Sequence, residues 1–190
     1  AFVAIAVPFA QLGLKDIVIR NIVRSPADKN EILGTNLVLQ LLAGVITILF
    51  TILLAGAMNQ GDYFAISLIV IISFGMIFQP FSNTTEYWFR SQVQAKYIVW
   101  SRNTVLIFIA LLKVALILTE ASLTAFAWAM LLAAILLSGA MVVAYKFTGE
   151  RLVDLRFGFE RAQDLLRDSW PLLFASFAGI IYMWLDQIRL

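Results

Sequence analysis

The sequence predicts an all-α, polytopic transmembrane helix bundle, and three observations carry that expectation. The 190-residue chain is 62% hydrophobic and only 14% charged, against about 45–50% apolar and about 25% charged for a soluble domain. Its mean hydropathy is +0.89. Its apolar runs reach the length of about 20 residues that a bilayer-spanning helix needs. A single soluble domain would be the default at this length, but so little charge cannot cover so much apolar surface. With no cysteine and no histidine, disulfides, thiolate nucleophiles, histidine bases and the usual zinc ligands are all excluded, and no cofactor is expected. A net charge of +2 gives no reason to expect a nucleic-acid partner.

Taken in order, 1–14 is apolar but short, and it begins without a methionine. A secretory leader would need a basic start and a small-residue cleavage site, and this stretch runs instead into "QLGLKD". Spans are expected at 32–58, at 64 to about 85 with an interruption at Pro80, at 104–118 with room to extend to Arg102, and at 123–145. A last span, 170–190, stops in mid-pattern. Both ends look cut, so the chain is expected to be a piece of a longer membrane protein. "SPADKNE" offers Ser25 as an N-cap, Pro26 at the first helical position and Asp28 three residues after the cap. "DSWPLL" offers Asp168 or Ser169 as a cap before Pro171. Apolar residues at 152, 155, 159, 162 and 166 follow helical spacing, which fits either a solvated linker helix or an amphipathic helix lying on the membrane surface.

The basic residues set the topology. The segments 15–31, 86–102 and 146–168 hold four, three and five lysines and arginines, 12 of the 14 in the chain, while the turns 59–63 and 119–122 hold none. The positive-inside rule places the three basic segments in the cytoplasm. The two remaining basic residues, Lys113 and Arg189, fall within spans.

Polar side chains in hydrocarbon turn toward partners or water, so their periodicity marks the inward faces. Asn36, Gln40, Gly44, Thr47 and Thr51 fall within roughly an 80° arc of one helix. Gly75, Gln79, Asn83, Glu86 and Arg90 form a second stripe, on a helix that Pro80 is expected to bend. Ala175, Gly179, Tyr182, Asp186 and Arg189 form a third. Close helix packing explains the small members of these stripes, whereas Gln40, Gln79 and Asn83 read equally as packing groups or as cavity contacts. The span "LIFIALLKVALIL" differs, because Lys113 is its one polar residue. A mid-membrane lysine costs about 2.5–3.5 kcal/mol on insertion scales. Lys113 either faces a wet, anion-attracting cavity or snorkels toward Glu120, about 10 Å away along the axis. Helical side chains lean toward the N-terminus, which here points deeper into the membrane and favours the cavity. Asp186 and Arg189, at i and i+3, form either a local ion pair or part of the same cavity lining.

Three stretches resemble one known family. "QLGLKDIVIRNIVRSPADKNEILGTNLVLQLL", "EYWFRSQVQAKYIVWSRN" and "RDSWPLLFASFAGIIYMWLDQIRL" are similar, in order, to segments of bacterial polysaccharide flippases. These are the O-antigen-type transporters of the multidrug/oligosaccharidyl-lipid/polysaccharide exporter superfamily. The resemblance spans residues 11–190 and implies helices two to seven of a usual twelve to fourteen. On that reading, 1–145 is the N-terminal lobe of a two-lobe, MATE-like transporter, 146–168 a cytoplasmic amphipathic linker, and 169–190 the first helix of the second lobe. The implied cargo is an oligosaccharide on undecaprenyl pyrophosphate, flipped across the bacterial cytoplasmic membrane for surface polysaccharides such as the O-antigen of lipopolysaccharide. Membrane lipids are the other expected partners.

A pyrophosphate calls for cations and a glycan for hydrogen-bonding groups. Lys113, Arg20, Arg24 and Arg90 are therefore the candidate headgroup contacts, and Asn36, Gln40, Gln79 and Asn83 the candidate glycan contacts. Arg20, Arg24 and Arg90 are equally explained as positive-inside anchors. No Walker A phosphate loop is present, so coupling to a proton or sodium gradient is expected, with Glu86 and Asp186 as possible reporters of protonation and Arg189 as the ion-pair partner of Asp186. Two other classes compete. A drug or cation antiporter of the same superfamily predicts a cavity rich in carboxylates and aromatics. A membrane enzyme of glycan assembly predicts a large outer loop carrying catalytic charges, and the outer turns here are about five residues.

Overall fold

A computed structural model describes residues 14–58 and 62–169. The chain forms α1 (Lys15–Arg24), a 3₁₀ turn (Pro26–Asp28), α2 (Lys29–Met58), α3 (Tyr63–Phe74), a 3₁₀ turn (Gly75–Ile77), α4 (Gln79–Ser91), α5 (Ala95–Leu118), α6 (Leu123–Phe147) and a 3₁₀ turn (Leu152–Asp154). Residues 159–169, termed α7, are also helical. There is no strand among the described residues. Four stretches are long and apolar enough to cross a bilayer: Pro26–Ala57, Tyr63–Ser91, Ala95–Leu118 and Leu123–Phe147. This is a multi-pass, all-α membrane bundle. The last expected span, with Asp186 and Arg189, lies outside the described residues.

Local chemistry accounts for most boundaries. α1 is amphipathic, burying Ile17, Val18 and Ile22. Asp16 in its first turn and Arg24 in its last both suit the helix dipole. Asp62 caps α3 by accepting from the Ala65 amide at 3.0 Å, satisfying one orphan donor. Pro80 falls in the first turn of α4, where its missing N–H costs least. The break therefore comes one turn earlier than Pro80 itself, at the 3₁₀ turn Gly75–Ile77. The Phe78 carbonyl at this break accepts from the Ser138 hydroxyl of α6. Gly149, at φ +86°, carries the chain out of α6 in a conformation glycine adopts without strain.

The tightest core lies at the end of the bundle where the basic segments gather. Ile17, Val18 and Ile22 of α1 pack there with Ile32 and Leu33 of α2, Tyr87, Trp88 and Phe89 of α4, Met141 and Tyr145 of α6, and Leu165 of α7. Trp88 meets Tyr145 edge-on at 5.1 Å, and Phe89 stacks on Tyr97 at 5.1 Å. Both are geometries aromatic quadrupoles favour.

Several sequence expectations are corrected here. Ser25 makes no side-chain cap; its amide, which a capping box would give to Asp28, donates to the Asn21 carbonyl at 2.9 Å, and Asp28 accepts from Arg161 at 3.0 Å. The segment 86–102 is nearly all helix: α4 runs to Ser91 and α5 starts at Ala95, since the aromatics of "YWF" are buried in the core and hold the chain helical. Residues 152–166 do not form one helix. After Leu152–Asp154, residues 155–158 run outside any helix along the start of α2. The Arg156 amide donates to the Asn30 carbonyl at 3.1 Å, and the Gly158 amide to Thr35 Oγ1 at 3.0 Å. These bonds replace those a helix would have made. Asp168 and Ser169 are the last two described residues of α7, and the helix they were expected to cap lies outside the described residues. Ion pairs Lys29–Glu150, Arg161–Asp28 and Arg20–Asp168 fasten this strap to α1 and α2. They also bring two of the three basic segments to one end of the molecule.

Candidate functional site

One face of α5 repeats at i, i+4, i+7 and i+11 through Arg102, Leu106, Ile109 and Lys113, all within an arc of about 60°. This face forms one wall of a cleft of about 530 Å³. Ala133, Ala134, Leu137 and Ser138 of α6 form another wall, and Gln79 and Ser82 of α4 close it. The cleft is apolar along its length, with a cation at each end. Arg102 and Lys113 are about 16–17 Å apart along the helix axis at 1.5 Å per residue.

The two cations differ in their surroundings. Arg102 donates to Glu86 Oε2 at 2.6 Å, and Arg90 donates to Glu86 Oε1 at 2.7 Å. Glu86 is buried, while Arg90 and Arg102 are about half-exposed. One carboxylate thus meets two guanidiniums, leaving an excess positive charge at that end. Lys113 is half-buried and has no carboxylate within 4.0 Å among the described residues. Gln79 lines the cleft, and its Oε1 is buried without a donor among the described residues.

Beside the cleft, α2 and α4 are joined by a ladder of buried side chains. Asn36 donates to Thr84 Oγ1 at 2.9 Å. Gln40 donates to Asn36 Oδ1 at 3.0 Å and to the Tyr87 hydroxyl at 3.3 Å. Asn83 donates to Gln40 Oε1 at 3.0 Å. Gly44, Thr47 and Thr51 continue the buried face of α2. Replacing Gln40 with leucine should lower the melting temperature in detergent. It leaves Asn36, Asn83 and Tyr87 each short of a partner, at about 1–3 kcal/mol for unsatisfied groups, although bonds between membrane helices average only about 0.6 kcal/mol. A drop worth about 1–2 kcal/mol is expected, and an unchanged melting temperature would show that the ladder does not hold α2 to α4.

The structure thus brings Lys113 and Gln79 to one cleft and spends Asn36, Gln40 and Asn83 on one another. Arg90 and Glu86 do not line the cleft; they are linked to it through the ion-pair cluster with Arg102. Arg20 is exposed and paired with Asp168 at 2.6 Å, Arg24 is exposed, and neither lines the cleft. Arg102, Ser82, Ser138, Thr84 and Tyr87 escaped the sequence reading. Arg102 was legible in principle, since it lies eleven residues before Lys113 and so on the same helical face.

No curated protein and no solved structure matches the chain at a significant level. A family model described as "Polysaccharide biosynthesis protein" matches residues 1–190. A bundle of membrane-length helices enclosing a cationic cleft, matched from end to end by that model, belongs to the polysaccharide biosynthesis protein family.

Proposed function

We propose that the protein carrying this sequence flips an oligosaccharide linked to undecaprenyl pyrophosphate across the bacterial cytoplasmic membrane, by alternating access and without itself acting as an enzyme. The observation that carries this reading is the cleft with Arg102 and Lys113 on one face of a membrane-length helix. A lysine held among apolar walls is costly, and an anionic headgroup offsets that cost through charge-assisted hydrogen bonds. A pyrophosphate is such a headgroup. The Gln79 amide in the cleft lining suits hydroxyl groups, which a sugar supplies in number. Asn36, Gln40 and Asn83 stiffen the wall behind, and Arg20, Arg24 and Arg90 supply positive charge at the basic, cytoplasmic end. On this reading residues 1–145 belong to the first lobe and α7 leads into the second. Coupling runs through a proton or sodium gradient, with Glu86 and Asp186 as the carboxylates that respond.

A cation antiporter is disfavoured by the same cleft, whose lining holds no carboxylate among the described residues, and Glu86, bonded to its Arg102, also serves Arg90. The two readings separate in proteoliposomes holding the full-length protein. A fluorescent pyrophosphate-linked glycolipid should cross faster than in protein-free vesicles, and a lipophilic cationic dye should not. The reverse pattern would end the flippase reading in favour of the antiporter.

A further inference from the structure

A second groove lies at the basic end, on the other side of α5. Lys96, Tyr97, Trp100 and Ser101 of α5, with Ala144 and Phe147 of α6, enclose about 550 Å³. A neighbouring hollow of about 410 Å³ shares Phe147 and is lined by Lys146, Glu150 and Arg151. On α5, Trp100 projects about 160° from Arg102, so this groove faces away from the cleft.

The charge here is unbalanced. Lys96, Lys146 and Arg151 have no carboxylate within 4.0 Å among the described residues, and the one acid of the hollow, Glu150, is engaged by Lys29. Lys96 Nζ lies 5.0 Å from the centre of the Tyr97 ring. Lys146 occupies the last turn of α6, where the helix dipole favours a cation. Apolar groups surround these cations. Trp100 is 76% exposed and Phe147 83%. Beyond Trp100, the same face of α5 continues through Ile107, Leu111, Val114 and Leu118, all exposed and within about 40° of Trp100 in projection. A cationic hollow thus opens onto aromatic side chains and then onto a long apolar stripe.

We propose that this groove binds the headgroup of an anionic phospholipid. Lys96 and Lys146 take the phosphodiester, Trp100 and Phe147 flank the glycerol region, and an acyl chain follows the α5 stripe. Basic pockets between membrane helices recognise anionic headgroups, and tryptophan and tyrosine favour the depth at which headgroup meets acyl chain. A soluble anion would use the lysines and leave the aromatics and the stripe idle, which is why a lipid is the occupant. The site is independent of the transport reading, and Lys113 has no part in it.

The test is native mass spectrometry of the full-length protein in neutral detergent, titrated with phosphatidylglycerol or with phosphatidylcholine of the same acyl chains. The phosphatidylglycerol should be retained preferentially. Lys96→Gln and Lys146→Gln should each weaken it about fivefold, the equivalent of about 1 kcal/mol per cation near the headgroup, and the double variant should lose the preference. Lys96→Arg with Lys146→Arg should keep it, and Lys113→Ala should leave it untouched. Excess inorganic phosphate should not displace the lipid. All these side chains except Lys113 are exposed, and an unchanged melting temperature in the Gln variants ties any loss to binding. Equal retention of the two lipids, an unaffected double Gln variant, or displacement by inorganic phosphate would each overturn the proposal.

Discussion

Replacing Lys113 with alanine in the full-length protein should cut surface glycan export by between about tenfold and about a hundredfold, taking about 1.5–3 kcal/mol for a hydrogen bond to a charged group. Lys113→Arg should restore part of it, because a guanidinium also binds phosphate, with a different fork geometry. The measurement is surface polysaccharide in cells lacking their own flippase. The direction of the stability change makes this test clean. Removing a lysine five residues before the end of α5 saves part of an insertion cost that reaches about 2.5–3.5 kcal/mol at a helix centre, so the alanine variant should be made and inserted at least as well as the parent. Loss of export then reports lost contact with the cargo. Full export by a well-expressed Lys113→Ala protein would remove this residue from the headgroup site.

Gly34→Ala should be the most damaging small substitution in the fold. A β-carbon there would sit 2.3 Å from the Arg156 carbonyl oxygen and 2.7 Å from its amide nitrogen. Both are backbone atoms, so no side chain can swing aside. The strap would have to lift, stretching the bonds from the Arg156 amide to Asn30 and from the Gly158 amide to Thr35. Overpacking costs about 1–3 kcal/mol and each lost hydrogen bond about 1 kcal/mol. The better helix propensity of alanine returns about 1 kcal/mol. A net loss of about 2–4 kcal/mol is expected, seen as a lower melting temperature and faster tryptic cleavage at Arg151 and Arg156. Gly56→Ala is the control. Its β-carbon would meet nothing within 4 Å, so it should be neutral or slightly stabilising. Equal behaviour of the two variants would mean the strap is not seated on Gly34.

The spans and the buried face of α2 were legible because hydropathy and helical periodicity are local properties. Asn36, Gln40, Gly44, Thr47 and Thr51 share a face by arithmetic alone, and all five are buried. What escaped depends on distant partners. Apolar spacing at 152, 155, 159, 162 and 166 is the same for an amphipathic helix and for the strap, and the choice rests on Gly34, Thr35 and Glu31, more than a hundred residues earlier. Gly158 shows this directly, since a β-carbon there would lie 2.0 Å from Glu31 Oε1. Likewise, nothing near Arg102 in the sequence reveals that Glu86 accepts from it across the turn between α4 and α5. Lys113 stood out because the positive-inside rule leaves it unexplained, whereas Arg102 was hidden by that same rule, which gave it a sufficient reason to be basic.

The strap also decides how force travels through the basic end. α7 is tied to α1 and to the turn before α2 by Arg20–Asp168 and Arg161–Asp28, and the residues before it are tied by two amide bonds. The Arg20–Asp168 pair is exposed and the Arg161–Asp28 pair part-buried, and each is individually weak, but swinging α7 outward breaks both at once and pulls on the two amide bonds before it. Rocking of whatever follows α7 must therefore either drag α2 along as a lever or pivot beyond Asp168. The stiff handle and the polar ladder belong to the same helix, so torque applied at one reaches Gln40 about three turns away.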